Sequence, residues 1–133
     1  MKLASNFRHR VRARVWLPVH GRHFVYRGTT IHVLEDEERH RWICLADMQA
    51  VVGVTASERA LSVTYPDRLQ LMGRPAQTYM RDDAMVAHLG KEKQLMVLKF
   101  RTWLDRSVRV PGANVRKGLR IREVVNAGLR RRP

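Results

Sequence analysis

Residues 24–54 constrain what this chain can fold into more than any other stretch. They run Phe24-Val25-Tyr26-Arg27-Gly28, then Thr29-Thr30-Ile31-His32-Val33-Leu34, then an acidic turn Glu35-Asp36-Glu37-Glu38, then Arg41-Trp42-Ile43-Cys44-Leu45. β-Branched and aromatic side chains fit a pleated surface, and here they are bounded by glycine or charge, so the two pieces before the acidic turn and the one after it read as strands. In the segment that follows, Met48, Val51 and Val52 fall at i, i+3 and i+4 and share one helix face, and Gly53 offers a C-cap. Strand, hairpin, strand and helix make a nucleus that a chain of 133 residues can complete as one small domain.

The flanks repeat the same devices. Val19-His20-Gly21-Arg22 reads as a turn, and Ser57 can cap a short helix limited by Val63 and Thr64. Leu69-Gln70-Leu71-Met72 and Gln77-Thr78-Tyr79-Met80 flank Gly73-Arg74-Pro75-Ala76 as a second hairpin. Asp82 or Asp83 caps a helix carrying Met85, Val86 and Leu89 and closed by Gly90. The longest helical signal covers residues 92–107, with Leu95, Met96, Phe100, Trp103 and Leu104 on its apolar face and Arg101 paired with Asp105 at i, i+4. Pro111-Gly112 is expected to end it. The expected fold is a small α+β domain of antiparallel strands and hairpins, packed with three or four short helices and followed by a basic C-terminal helix or tail.

Charge carries the functional reading. The formal net charge is +14 and the isoelectric point about 11.4, which points to a polyanionic partner. Residues 1–27 hold seven basic residues and no acid, and residues 101–133 hold ten against two. Residues 28–100 hold nine basic residues against ten acids, so the two ends carry the field. Arg8, Arg10, Arg12 and Arg14 alternate with His9, Val11, Ala13 and Val15, a period of two that defines a strand with one cationic face. Guanidinium groups on alternate residues suit a run of phosphates, and the same pattern also blunts an edge strand. Arg116, Lys117, Arg120, Arg122, Arg130, Arg131 and Arg132 would form a second grip on an amphipathic tail that Gly118 and Gly128 weaken. The acidic turn would repel DNA from its own end and orient binding through the opposite side.

The order and spacing of landmarks resemble the BRO amino-terminal domain of phage antirepressors and large DNA viruses. They are Phe24, Gly28, Ile31-His32-Val33, Trp42-Ile43, Ala46-Asp47-Met48, Val52-Gly53-Val54, Tyr79-Met80, Asp83-Ala84-Met85, Phe100-Arg101-Thr102-Trp103-Leu104 and Val110-Pro111. The resemblance covers residues 24–111. It departs from the family at Arg81-Asp82-Asp83-Ala84-Met85-Val86, where the family has Asn-Glu-Ser-Gly-Leu-Tyr, and at Val54, where it has tyrosine. It implies an α+β DNA-binding or regulatory domain of mobile-element origin without catalytic activity. On it, residues 1–112 make a BRO-like domain with an added basic strand at 8–17, and residues 113–133 make the Arg-rich helix or tail.

Other chemistry finds little foothold. His20 and His23 have a metal-like spacing but no nearby cysteine or carboxylate to complete a site, and the single Cys44 lies in an apolar run as a structural thiol. The chain shows no Gly-rich phosphate loop and no nucleophile arrangement, so neither an enzyme nor a cofactor is expected. Trp42, Phe100 and Trp103 read as core, and Trp16 and Tyr26 are the candidates for stacking on a base. The expectation is a DNA-binding transcription regulator of phage, prophage or plasmid origin, in the cytoplasm of a bacterial host and not at a membrane. RNA binding is one alternative, and an antirepressor or host-takeover module on an acidic protein partner is another. A homodimer is compatible with DNA half-sites, although no heptad pattern supports it.

Overall fold

Arg27 and Gly28 both take positive φ, 46° and 83°, the two-residue geometry whose twist matches that of the strands it joins. They connect β1 (His20–Tyr26) to β2 (Thr29–Glu35) in a computed structural model that describes residues 20–53 and 56–130. The rest of the sheet is β3 (Arg41–Cys44), β4 (Leu69–Met72) and β5 (Gln77–Arg81). The five strands lie in the order β1-β2-β3-β5-β4, every neighbouring pair antiparallel. The helices are α1 (Leu45–Val52), α2 (Glu58–Thr64), α3 (Asp82–Leu89), α4 (Leu95–Leu104) and α5 (Val110–Arg130). A π-helical turn, Asp105–Arg109, joins α4 to α5 without a break. The fold is the expected small α+β domain.

Register decides which side chains meet the helices. Phe24 opposes Ile31, Val33 opposes Ile43, and Ile43 opposes Met80, so these share one face of the sheet. That face, with Met48, Met85, Leu89, Phe100 and Leu104, forms the main core, where each fully buried large side chain contributes about 1.5–3 kcal/mol. Trp42, Cys44, Met72 and Tyr79 alternate onto the other face as a second, smaller cluster. Trp42 is therefore core, but not in the layer that holds Phe100. Asp47 ties α1 to β2 by accepting from the His32 amide at 2.8 Å and from its ring Nδ1 at 2.9 Å.

Several local expectations hold. Ser57 Oγ accepts from the Ala60 amide at 3.1 Å and starts α2, Gly53 closes α1 at φ 83°, and Gly90 follows α3. Others need correction. His20, Gly21 and Arg22 are strand rather than turn, because β2 extends to Glu35 and supplies partners for all three. The α3 N-cap is Arg81, without a side-chain bond. Asp82 and Asp83 lie inside the first turn, where Asp82 Oδ1 accepts from the Asp83 amide and Asp83 Oδ1 from the Ala84 amide. Leu95 and Met96 are 67% and 53% exposed, because the buried stripe of α4 runs through Val97, Phe100 and Leu104.

The largest correction concerns Pro111. The helix does not end at Pro111-Gly112 but continues to Arg130. Proline in a helix lacks the amide for the i−4 carbonyl and crowds it, and the π turn just before it relieves that conflict by widening the ladder to i−5, as the Val110 amide to Asp105 carbonyl bond shows. The same turn redirects charges. Asp105 pairs with Arg109 instead of Arg101, whose Nε donates to the Val86 carbonyl at 2.9 Å.

Arg41 from β3 donates to the Val108 carbonyl of this turn at 3.0 Å. Arg41 is only 4% exposed and stands opposite Glu35, which is fully buried and also bonded to Arg22. A Cβ on Gly112 would lie 2.9 Å from Arg41 Cδ, so any larger residue there would push the Arg41 side chain aside. Replacing Arg41 by alanine removes the donor to the Val108 carbonyl and the cation whose field compensates the buried Glu35, and should cost about 3 kcal/mol in chemical denaturation. Glu35→Met with Arg41→Met should recover part of that loss; a double variant as unstable as Arg41→Ala would show that the charges themselves are not what matters.

Candidate nucleic-acid interface

Helix α5 has 21 residues and advances about 100° per residue, which sorts its charges onto different sides. Arg116, Arg120 and Glu123 recur at i, i+4 and i+7 and look back at the domain. There they join Glu37, Glu38, His40 and Leu119 around a cavity of about 230 Å³. Arg116 Nη1 donates to the Arg39 carbonyl at 3.1 Å and fixes the helix against the β2–β3 turn. Arg39 can present that carbonyl because it sits at φ 67° with its own amide on the Asp36 carbonyl. Lys117 and Arg122 point to other sides and are exposed, and between them run the exposed Ile121, Val124 and Val125.

The acidic turn is not a uniform solvated patch. Glu35 is buried against Arg22. Asp36 is the keystone of the turn: its Oδ1 accepts from the Glu38 and His40 amides, both at 2.9 Å, and its Oδ2 from Trp42 Nε1 at 2.9 Å. Only Glu37 and Glu38 are exposed. The turn also lies near part of the cationic helix. It shares a cavity with Arg116 and Arg120, because the π turn and Arg41 bring the base of α5 against this end of the sheet.

Titratable groups here feel burial first. Burial lowers the His40 pKa, helped by Arg81 and Arg116 and opposed by Asp36 and Glu38, which favours the neutral ring beside the cavity. Burial raises the Asp82 carboxyl to about 6, against the pull of the Asp83 amide and Arg116. Its Oδ2 has no hydrogen-bond partner among the described residues.

Of the expected site residues, Arg116, Lys117, Arg120 and Arg122 lie on one helix, yet only Arg116 and Arg120 face the same way. Arg130 is the last residue of α5. Arg8, Arg10, Arg12 and Arg14, the base-stacking candidate Trp16, and Arg131 and Arg132 lie outside the described residues. Tyr26, the other stacking candidate, is core: it is 9% exposed and packs edge-on to Phe100 at 5.0 Å. His23 meets His32 edge-on at 4.9 Å, and among the described residues no three metal-ligating side chains gather. Cys44 is buried with its thiol on Gln77 Oε1 at 3.1 Å, and burial raises its pKa. Sequence reasoning missed Arg39 and His40, because a backbone carbonyl and a half-buried ring leave no compositional trace.

No helix among the described residues is long and apolar enough to cross a membrane. No family model, no curated protein and no solved structure matches the chain.

Asp82 gives this end of the molecule a defined pH response. A carboxyl whose pKa is raised on folding binds its proton more tightly in the folded than in the unfolded chain, so stability falls as pH rises from about 3.8 to about 6. Above that window the ionised group costs about 2–3 kcal/mol. Asp82→Asn keeps the acceptor for the Asp83 amide and should raise the melting temperature at pH 7 but not at pH 3.5. Equal stabilisation at both pH values would contradict this assignment.

Proposed function

We propose that the protein is a nucleic-acid-binding regulatory protein, with duplex DNA as its preferred partner. It binds electrostatically through the exposed cations of α5 and the Arg-rich segment that precedes β1. The observation that carries this reading is the long helix α5, on which Lys117 and Arg122 are exposed away from the acidic turn and have no ion pair or hydrogen bond with any described residue, while Arg120 is exposed at the rim of the cavity that Glu37 and Glu38 share. On a chain of net charge +14 such groups are suited to neutralise phosphates and release counterions. Their division between two sides of the helix favours a partner that wraps or runs along it, with most contacts going to the backbone of the nucleic acid. The likeness of residues 24–111 to BRO amino-terminal domains supports a regulatory role of mobile-element origin.

Glu37 and Glu38 have a regulatory meaning in this setting. They face Arg116 and Arg120 across the cavity and compete with phosphate for them, so they lower affinity and favour targets that reach the outer side of the helix.

Binding of a labelled duplex, followed by fluorescence anisotropy over a salt series, is the direct test. The logarithm of the binding constant should fall linearly with the logarithm of salt concentration. Changing Lys117, Arg120 and Arg122 together to alanine should reduce that slope by up to about 2.7, or about 0.9 for each phosphate no longer neutralised. Absence of duplex binding, or binding indifferent to salt, would refute the reading, and an RNA hairpin bound more tightly in the same series would move it to RNA. In a separate variant, Glu37→Gln with Glu38→Gln should tighten binding severalfold at low salt, with the gain disappearing as salt screens the charges. Weaker binding in this variant would show that the acidic turn does not oppose the ligand.

A further inference from the structure

At the end of the domain away from the acidic turn, the β1–β2 hairpin meets the start of α4 and leaves an open groove of about 350 Å³. Tyr26, Leu95 and Leu98 give it an apolar floor, with Arg27, Lys99 and Thr102 completing it, and no carboxylate is among the lining residues. Leu95 is 67% exposed, and beside it Met96 is 53% exposed. An apolar side chain at the leading turn of a helix with nothing packed on it is costly to leave in water unless something covers it. The rest of the molecule makes the groove rigid. Tyr26 is held by Phe100 at 5.0 Å and by Trp103 at 5.1 Å, and the Arg27 guanidinium lies over the Tyr26 ring at 5.4 Å.

We propose that this groove is a protein-docking site whose occupant is an acidic amphipathic segment of a partner protein. An apolar side chain of that segment fills the space between Tyr26, Leu95 and Leu98, and a neighbouring carboxylate meets Arg27 and Lys99. Charge complementarity selects this occupant. The rim carries two cations and no acid, and α4 begins at Gln94 without a side-chain cap and with no acid in its first turn, so its positive end adds to the same field. A second copy of this chain meeting the groove symmetrically would bring the same two cations face to face. A nucleic acid would satisfy the cations and leave Leu95 and Leu98 against a polar backbone. The site goes beyond nucleic-acid binding: it lies at the start of the helix run whose other end carries Lys117, Arg120 and Arg122, so one partner does not obstruct the other.

The probe is a random peptide library displayed on phage and selected on the full-length protein, followed by a synthetic peptide of the enriched consensus. Enriched sequences should combine a large apolar residue with Asp or Glu within one helical turn. The synthetic peptide should bind about tenfold more weakly, or worse, to Leu95→Asp and to Lys99→Glu. Both positions are exposed, so both variants should fold. The same peptide should bind unchanged to Lys117→Ala with Arg122→Ala, and saturating duplex DNA should not displace it, so docking and nucleic-acid binding stand or fall separately. The proposal is overturned if no acidic–apolar consensus emerges or if binding survives both groove substitutions. Displacement by a single-stranded or duplex oligonucleotide would overturn it too and assign the groove to nucleic acid.

Discussion

The buried Arg41 guanidinium is the interaction on which the rest of this structure depends. It stands in β3 opposite the buried Glu35, reaches across to the Val108 carbonyl, and passes the backbone where Gly112 leaves room. Sheet, π turn and long helix therefore meet at one side chain. Burying a charge is expensive unless it is paired and hydrogen-bonded; here the Val108 carbonyl accepts one hydrogen bond and the buried Glu35 charge lies nearby, while Arg41 Nε has no hydrogen-bond partner among the described residues. Burial still draws the Arg41 pKa down, with Glu35 holding it up, as expected of a charge held in place by neighbours rather than by solvent.

From this junction the molecule divides by polarity. On one side the base of α5 is fastened to the β2–β3 turn by Arg116 on the Arg39 carbonyl, and cations and carboxylates crowd a small cavity. On the other, aromatic packing of Tyr26, Phe100 and Trp103 holds the start of α4 and leaves aliphatic side chains in the open. A single run of helix over residues 95–130 connects the two ends, about 50 Å at the usual rise per residue. The domain holds the first part of this run in its core, through Val97, Phe100, Leu104 and Val108, and its two ends differ in chemistry.

Much of the fold was legible in the sequence because it rests on local rules. Alternation and β-branching marked β2 and β3, Ser57 marked the start of α2, and Gly53 and Gly90 marked the ends of α1 and α3. The misses share a physical cause. Pro111 is a helix breaker by local rules, and the π turn just before it, packed against Arg41 of a distant strand, carries the helix through. Glu35 sits in an acidic run that looks solvated until the register places it on the core face. Arg116 and Arg120 looked like free phosphate ligands because the proximity of Glu37 and Glu38, far away in sequence, depends on how α5 is aimed. Charge composition reports that a partner is anionic, but which cations remain available is a property of packing.

The π turn at Asp105–Arg109 also acts on rotation. A π turn holds more residues than an α turn, so every side chain after it is rotated relative to where an uninterrupted α-helix would put it. At about 100° per residue, a shift of one residue carries a cation from one side of the helix to another. Which charges of α5 look at the acidic turn, and which look outward, is thus a matter of phase fixed several turns upstream. In this protein the pattern of charge offered to the outside is set by a count of residues at the bulge as much as by the residues that bear the charge.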